Sequence, residues 1–188
     1  ILKLVEEGRL DLDAKAFRLL DHLSPPAGKT ADARIYDITI RHLLHHSGGW
    51  NREGFDFVER RQRIAREMGT PEPTSRGNTI RWMLGQPLDY DPGSQATYAN
   101  FGYNILGRII EKVSGQTYHD YVKSRVLEAA GITSMRLGGE LLKDRYEGEV
   151  RYYDYDGAPM VPSMFPDSAG LVPQPYGGVM VGTADSVG

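Results

Sequence analysis

The 188-residue chain contains no cysteine. This excludes disulfide bonds, thiolate zinc sites and a cysteine nucleophile. It does not fix the compartment, because an exported bacterial enzyme can fold without disulfides. An excess of one charge is also lacking. With 22 Lys and Arg against 25 Asp and Glu, the net charge is −3 and the pI about 6.0, which gives no electrostatic basis for binding nucleic acid or an anionic membrane. No apolar run approaches the length of a transmembrane helix. Internal repeats and low-complexity tracts are missing too. The opening segment, Ile1-Leu2-Lys3-Leu4-Val5-Glu6-Glu7, is charged and amphipathic, unlike a signal core. It starts in mid-pattern with neither a methionine nor a cap, so the expectation is a piece of a longer protein.

What the chain does have is turn chemistry. Its 22 glycines and 11 prolines make it loop-rich, while a hydrophobic content of 40% is ordinary for a folded domain. The length suits one core, so residues 1–188 are expected to form, or to belong to, a single domain. The pattern is organised around Asp91-Pro92-Gly93-Ser94-Gln95-Ala96-Thr97-Tyr98-Ala99-Asn100-Phe101-Gly102-Tyr103-Asn104. Pro92-Gly93 is a turn signal. A helix-period apolar series then runs through Phe101, Ile105, Ile109, Ile110 and Val113. Tyr98 and Asn100 fall on the lead-in. If that lead-in is extended, residues two apart point to one side, and a phenol and a carboxamide there could move a proton and orient a substrate amide.

In chain order, residues 1–7 read as a helix end, with Ile1, Leu2 and Val5 inward and Gly8 just beyond it. Asp13 is expected to cap a helix over 14–20, and Thr39 one over 40–46 with Leu43 and Leu44 inward. Residues 53–68 read as helical. Asn78 is expected to cap a helix over 79–84. The central helix, 101–114, should stop at Gly115. Thr117 and Asp120 form a near capping box for a helix from Tyr118 to about Ala130. From Val150 to Tyr155 the pattern favours strand, and Asp156-Gly157 is a hairpin turn signal. The expected fold class is mainly α with a small β element.

Tyr98-Ala99-Asn100, followed by Phe101-Gly102-Tyr103-Asn104-Ile105-Leu106-Gly107, resembles the Tyr-x-Asn motif of the serine β-lactamase and penicillin-binding-protein superfamily, closest to class C β-lactamases and their esterase and DD-peptidase relatives. Four other stretches resemble that family in the same order. They are Glu6-Glu7-Gly8-Arg9-Leu10-Asp11-Leu12-Asp13, Ile38 to Gly49, which resembles the family's Ile-Arg-x-Leu-Leu-x-His-x-Ser-Gly segment, Gly115 to Met135, and Tyr176 to Ser186 with Gly182 in place of a serine. The resemblance implies the helical subdomain, with adjoining loops, of a β-lactamase/transpeptidase-like α+β fold. It implies a bacterial serine hydrolase, periplasmic or extracellular, that cleaves an amide or ester bond (a β-lactam, a D-Ala-D-Ala-type peptide or a small ester) through an acyl-enzyme and without a cofactor. Tyr98 would be the general base and acid, and Asn100 the anchor for the substrate amide. The family's other two motifs are Ser-x-x-Lys and a Lys-Thr-Gly or His-x-Gly strand. No serine here has a lysine three residues on. Lys29-Thr30-Ala31 lacks the glycine, and His46-Ser47-Gly48 precedes the tyrosine motif instead of following it. The chain alone is therefore expected to be inactive, and the parent enzyme to take a small-molecule or peptide substrate. The alternative is a noncatalytic binding domain on the same scaffold.

Plainer readings stand beside these. Tyr98 could be a core tyrosine at a helix entry, and Asn100 an N-cap. His42 and His46 have the i, i+4 spacing of helical zinc sites, but no third ligand is suggested. Helix-end histidines bonded to carbonyls are the simpler account, and no metal is expected. Arg60, Arg61, Arg63 and Arg66 read as a solvated face beside Glu53, Glu59 and Glu67. Tyr152, Tyr153 and Tyr155 read as a half-buried strand more than a stacking platform. A partial domain leaves apolar surface exposed, which favours self-association. Light scattering is accordingly expected to give a homodimer or larger species, and a clean monomer would count against it.

Overall fold

The computed structural model describes residues 1–51, 61–71 and 74–135, together with the two-residue strands at 152–153 and 160–161. The chain divides into two compact units, Ile1–Gln116 and Thr117–Gly188. The described residues are mainly α with a small β element.

Among the described residues the first unit has six helices: α1 (Leu2–Glu6), α2 (Ala16–Leu19), α3 (Ile40–Leu44), α4 (Arg61–Met68), α5 (Arg76–Leu84) and α6 (Asn100–Ser114), with a 3-10 turn at Ala33–Asp37. Helix α6 is the long one, and α2, α3 and α5 pack against it. Phe101, Ile105, Leu106, Ile109 and Ile110 are its buried face, as the helical period predicts. Trp50 meets the Phe101 ring edge-on, with centroids 4.8 Å apart. Gly102 faces α3, where a Cβ would lie 3.6 Å from the Leu43 carbonyl oxygen, an ordinary contact distance. At the far end, Gly115 closes α6 in the left-handed conformation (φ 74°), and the Arg9 guanidinium donates to the Val113 carbonyl at 2.7 Å.

In the second unit, Thr117 caps α7 (Tyr118–Val122), taking the Asp120 N–H at 3.1 Å. The helix continues as a π turn to Leu127 and a 3-10 turn to Ala130, where left-handed Gly131 ends it. Strands β1 (Tyr152–Tyr153) and β2 (Met160–Val161) pair antiparallel, Tyr152 opposite Val161 and Tyr153 opposite Met160. The Asp156-Gly157 turn signal lies between them, outside the described residues. So do Glu53, Glu59 and Arg60, and the glycine-rich stretch from Tyr176. No helix among the described residues is long and apolar enough to cross a membrane.

Several local expectations need correction. Leu2 is 66% exposed, and Leu4 is the α1 residue that is fully buried. One turn of amphipathic helix is too short a window to fix the inward face. Asp13 caps nothing: Lys15 is the N-cap of α2, and both Asp13 oxygens receive the Arg41 guanidinium at 2.9 and 2.8 Å. Ser75, not Asn78, caps α5, accepting the Asn78 N–H at 3.1 Å. Arg63 does pair with Glu67 at 2.5 Å across one helical turn, as a solvated face would.

One buried group is out of keeping with this core. Asn104 is fully buried on α6, and neither atom of its carboxamide has a hydrogen-bond partner among the described residues. Unpaired polar atoms in a core carry their full desolvation cost, about 1–3 kcal/mol. Asn104→Leu, of similar volume, is expected to raise the denaturation midpoint. Ile105→Ala, one residue along the same helix, should lower stability by about 2–5 kcal/mol. Denaturant titration followed by circular dichroism measures both, and a destabilised Asn104→Leu would show that the amide has a partner.

Candidate active site at the start of helix α6

The site is assembled on a short helix. Five-residue α3 would not persist alone, yet each of its four N-terminal N–H donors has an acceptor. Thr39 N–H donates to His42 Nδ1 at 3.3 Å and His42 N–H to Thr39 Oγ1 at 3.1 Å, a capping box in which histidine takes the usual glutamate position. Ile40 N–H reaches the Ala14 carbonyl at 3.1 Å and Arg41 N–H the Leu12 carbonyl at 2.8 Å. Both histidines weighed as metal ligands therefore use Nδ1 to accept a backbone N–H, and neither completes a carbonyl as expected.

Beyond α3 the chain turns sharply. His46 is the one described non-glycine residue with positive φ, 55°, a conformation that costs about 1–2 kcal/mol. This turn offers a series of acceptors to the central stretch. The Ser47 carbonyl takes Gly93 N–H at 2.8 Å, the His46 carbonyl takes Thr97 N–H at 2.9 Å, and the Leu44 carbonyl takes the Tyr103 hydroxyl at 3.3 Å. Gly93 is required where it stands: its φ is +82°, and a Cβ would come within 2.9 Å of His42 Nε2.

A second clamp holds the approach to the lead-in. Arg34 donates to Asp32, to Asp91 at 2.8 Å and to the Leu88 carbonyl at 2.9 Å, while Asp32 accepts the Leu88 N–H at 3.1 Å. The Arg34 hydrogen bonds hold the Asp32 carboxyl well below the usual carboxylate range. Burial opposes this, and the Leu88 and Arg34 N–H groups reinforce it. Nothing local in the sequence marks these residues, because the clamp's contacts to Leu88 and Asp91 join positions 54 to 57 apart.

Tyr98 emerges from this frame 42% exposed, so it is not a core tyrosine. Its ring lies 4.7 Å from that of His46, which in turn stacks on Tyr103 at 4.9 Å. Asn100 is half-buried and is the first residue of α6; the N-cap is Ala99, extended at φ −141° and with no side-chain cap. Asn100 is therefore not the cap, and the lead-in ends one residue earlier than expected. The two-residue alternation consequently does not extend to Asn100. Tyr98 and Asn100 nonetheless flank one residue at the mouth of the same rigid helix, a phenol before it and a carboxamide on its first turn.

A cavity of about 230 Å³ lined by Phe17, Arg18, Asp21, Leu23, Tyr36 and Leu84 does not involve the lead-in. No group of three or more potential metal ligands gathers among the described residues.

A family model described as Beta-lactamase matches residues 1–187. Penicillin-binding protein 4 of Amycolatopsis lactamdurans is 32% identical over 200 residues, covering 100% of this chain and 45% of its own. The octameric penicillin-binding protein homologue from Pyrococcus abyssi matches with a TM-score of 0.56 at 26% identity, covering 90% of this chain and 37% of that one. EstCE1, a hydrolase with promiscuous acyltransferase activity, matches with a TM-score of 0.61 over 98% of this chain and 49% of its own; at 19% identity this likeness speaks for the fold alone. The fold is the helical part of a β-lactamase/transpeptidase-like architecture. The chain spans less than half the length of the curated relatives it matches, from 24% to 45%.

The Asp32 clamp has a pH signature. Its folded pKa lies below the unfolded value of about 3.9, so its stabilisation is complete above that pH and is lost as pH falls towards the folded pKa. Asp32→Asn should lower stability at neutral pH by about 1–3 kcal/mol and flatten the acid limb of a stability–pH curve. An acid limb identical to that of the parent would contradict the assignment.

Proposed function

The chain belongs to the β-lactamase family, and from that premise we propose that it is part of a serine hydrolase acting on an amide or ester bond through an acyl-enzyme. Residues 1–188 are a partial domain of that enzyme, and Tyr98 and Asn100 are their share of its active site. The observation that carries this reading is the placement of Tyr98, half open to solvent on a lead-in tied at Gly93, Thr97 and Tyr103. A phenol so held can relay a proton between an attacking serine hydroxyl and the departing group. The Asn100 carboxamide, with both donor and acceptor capacity, suits a substrate amide. Neither residue supplies a nucleophile, and none of the serines here stands in the Ser-x-x-Lys arrangement. The reading therefore assigns the 188 residues no turnover of their own.

The full-length gene product is expected to be labelled by a fluorescent penicillin, and the 188-residue chain is not. Tyr98→Phe in the full-length protein should slow acylation by about 10²- to 10⁴-fold, and Asn100→Ala should chiefly raise KM. A full-length protein that binds penicillin reversibly without ever being acylated would favour a noncatalytic binding domain. Labelling of Tyr98→Phe at the parent rate would remove the catalytic role of the phenol.

A further inference from the structure

His46 is the one residue of the α3 turn whose side chain, as well as its backbone, faces the lead-in. Its imidazole lies 4.7 Å from the Tyr98 ring, tilted against it, and 4.9 Å from the Tyr103 ring, on which it stacks. Its Nδ1 accepts the Ala99 N–H at 3.3 Å, and its carbonyl accepts Thr97 N–H at 2.9 Å. It thus bonds the residue on each side of Tyr98 and touches the Tyr98 ring itself. Ala99 is the N-cap of α6 and has no side chain to satisfy the first turn; its own N–H, one of the donors a helix start leaves open, is satisfied from outside by His46. Tyr103 stacks on the imidazole and is anchored by its hydroxyl to the Leu44 carbonyl.

We propose that His46 is a positioning residue for Tyr98: its neutral imidazole, packed against the Tyr98 and Tyr103 rings and bonded to Ala99, fixes the backbone and ring plane of the proton-relaying phenol. The inference rests on the catalytic reading of Tyr98 given above. The left-handed backbone of His46 is what turns both carbonyl and ring towards the lead-in. Only a neutral ring offers Nδ1 as an acceptor. Burial holds the His46 pKa below the ordinary histidine value, and the Ala99 N–H aimed at Nδ1 likewise favours the neutral ring. A ring committed in this way to an amide at Nδ1 and packed against two aromatic rings is poorly placed to act as a base.

Asparagine and glutamine separate positioning from general structural support. In His46→Asn the new carboxamide places its oxygen where Nδ1 stands, and asparagine tolerates a left-handed backbone. In His46→Gln the oxygen falls where Nε2 stands, out of reach of Ala99. Turnover in the full-length protein is measured per acylable site, titrated with a fluorescent penicillin, so that unfolded protein is not counted. His46→Asn is expected to stay within about threefold of the parent, whereas His46→Gln and His46→Ala should lose about 10- to 100-fold in kcat with KM changed far less, the size of effect expected from a misplaced catalytic group. In the 188-residue chain, Ala99 amide exchange should stay slow in His46→Asn and become fast in His46→Gln. If alanine yields no folded protein, the asparagine–glutamine pair decides. Equal turnover per site in parent, asparagine and glutamine variants, or equal loss in both, overturns the inference. Turnover lost in Tyr98→Phe but intact in His46→Gln overturns this inference alone, whereas full turnover in Tyr98→Phe removes the catalytic reading and this inference together.

Discussion

A five-residue helix in water has too few internal bonds to offset the ordering of its backbone. Helix α3 exists because others complete it, with residues 12 and 14 and the Thr39–His42 box at its start and the 42–47 turn at its end. This is the constraint on which the site depends. A helix fixed at both ends can neither slide nor fray, so the carbonyls that follow it occupy set positions. The Asp13–Arg41 fork adds a charged strut on the solvent side, which in so exposed a place matters more for direction than for energy.

From that turn, order passes to the central stretch mainly through backbone atoms. Carbonyls of residues 44, 46 and 47 receive Tyr103, Thr97 and Gly93 in turn, and the long apolar face of α6 locks the result into the core. Bonds between main-chain groups are insensitive to the side chains that bear them. The frame could therefore be kept through much sequence change, provided Gly93 remains small and His46 keeps its unusual backbone. Arg34 works at the opposite end of the stretch, tying Leu88 and Asp91 to Asp32 before the chain reaches Pro92. Tyr98 is suspended between two such supports.

Signals confined to a few residues were legible in the sequence. The stops at Gly8, Gly115 and Gly131 and the caps at Thr39 and Thr117 need only a glycine's freedom at positive φ or a hydroxyl three residues before an N–H. The apolar face of α6 was legible because 15 residues give the helical period about four repeats in which to show itself. Asp13 misled because its partner, Arg41, lies 28 residues away, and Asn78 because Ser75 competes for the same role three residues earlier. Asn100 misled for a related reason: an alanine holds the cap position without a capping side chain, and its own N–H is taken by His46 from another element. His46 was singled out only as a metal candidate, although it sits in the Ile38 to Gly49 stretch that carried part of the family resemblance. Its contacts with Tyr98, Tyr103 and Ala99 all cross the fold, and no spacing rule expresses them.

Between Gly93 and Thr97 the chain makes an exposed detour of three residues, Ser94, Gln95 and Ala96, whose two ends are pinned to neighbouring carbonyls of one turn. The pins are independent of how much chain runs between them. Descendants of this gene can thus lengthen, shorten or recolour that rim, and so alter which molecules find room beside the phenol, while leaving the phenol where it is. On the proposed catalytic reading, the rim beside Tyr98 can change without moving the phenol itself.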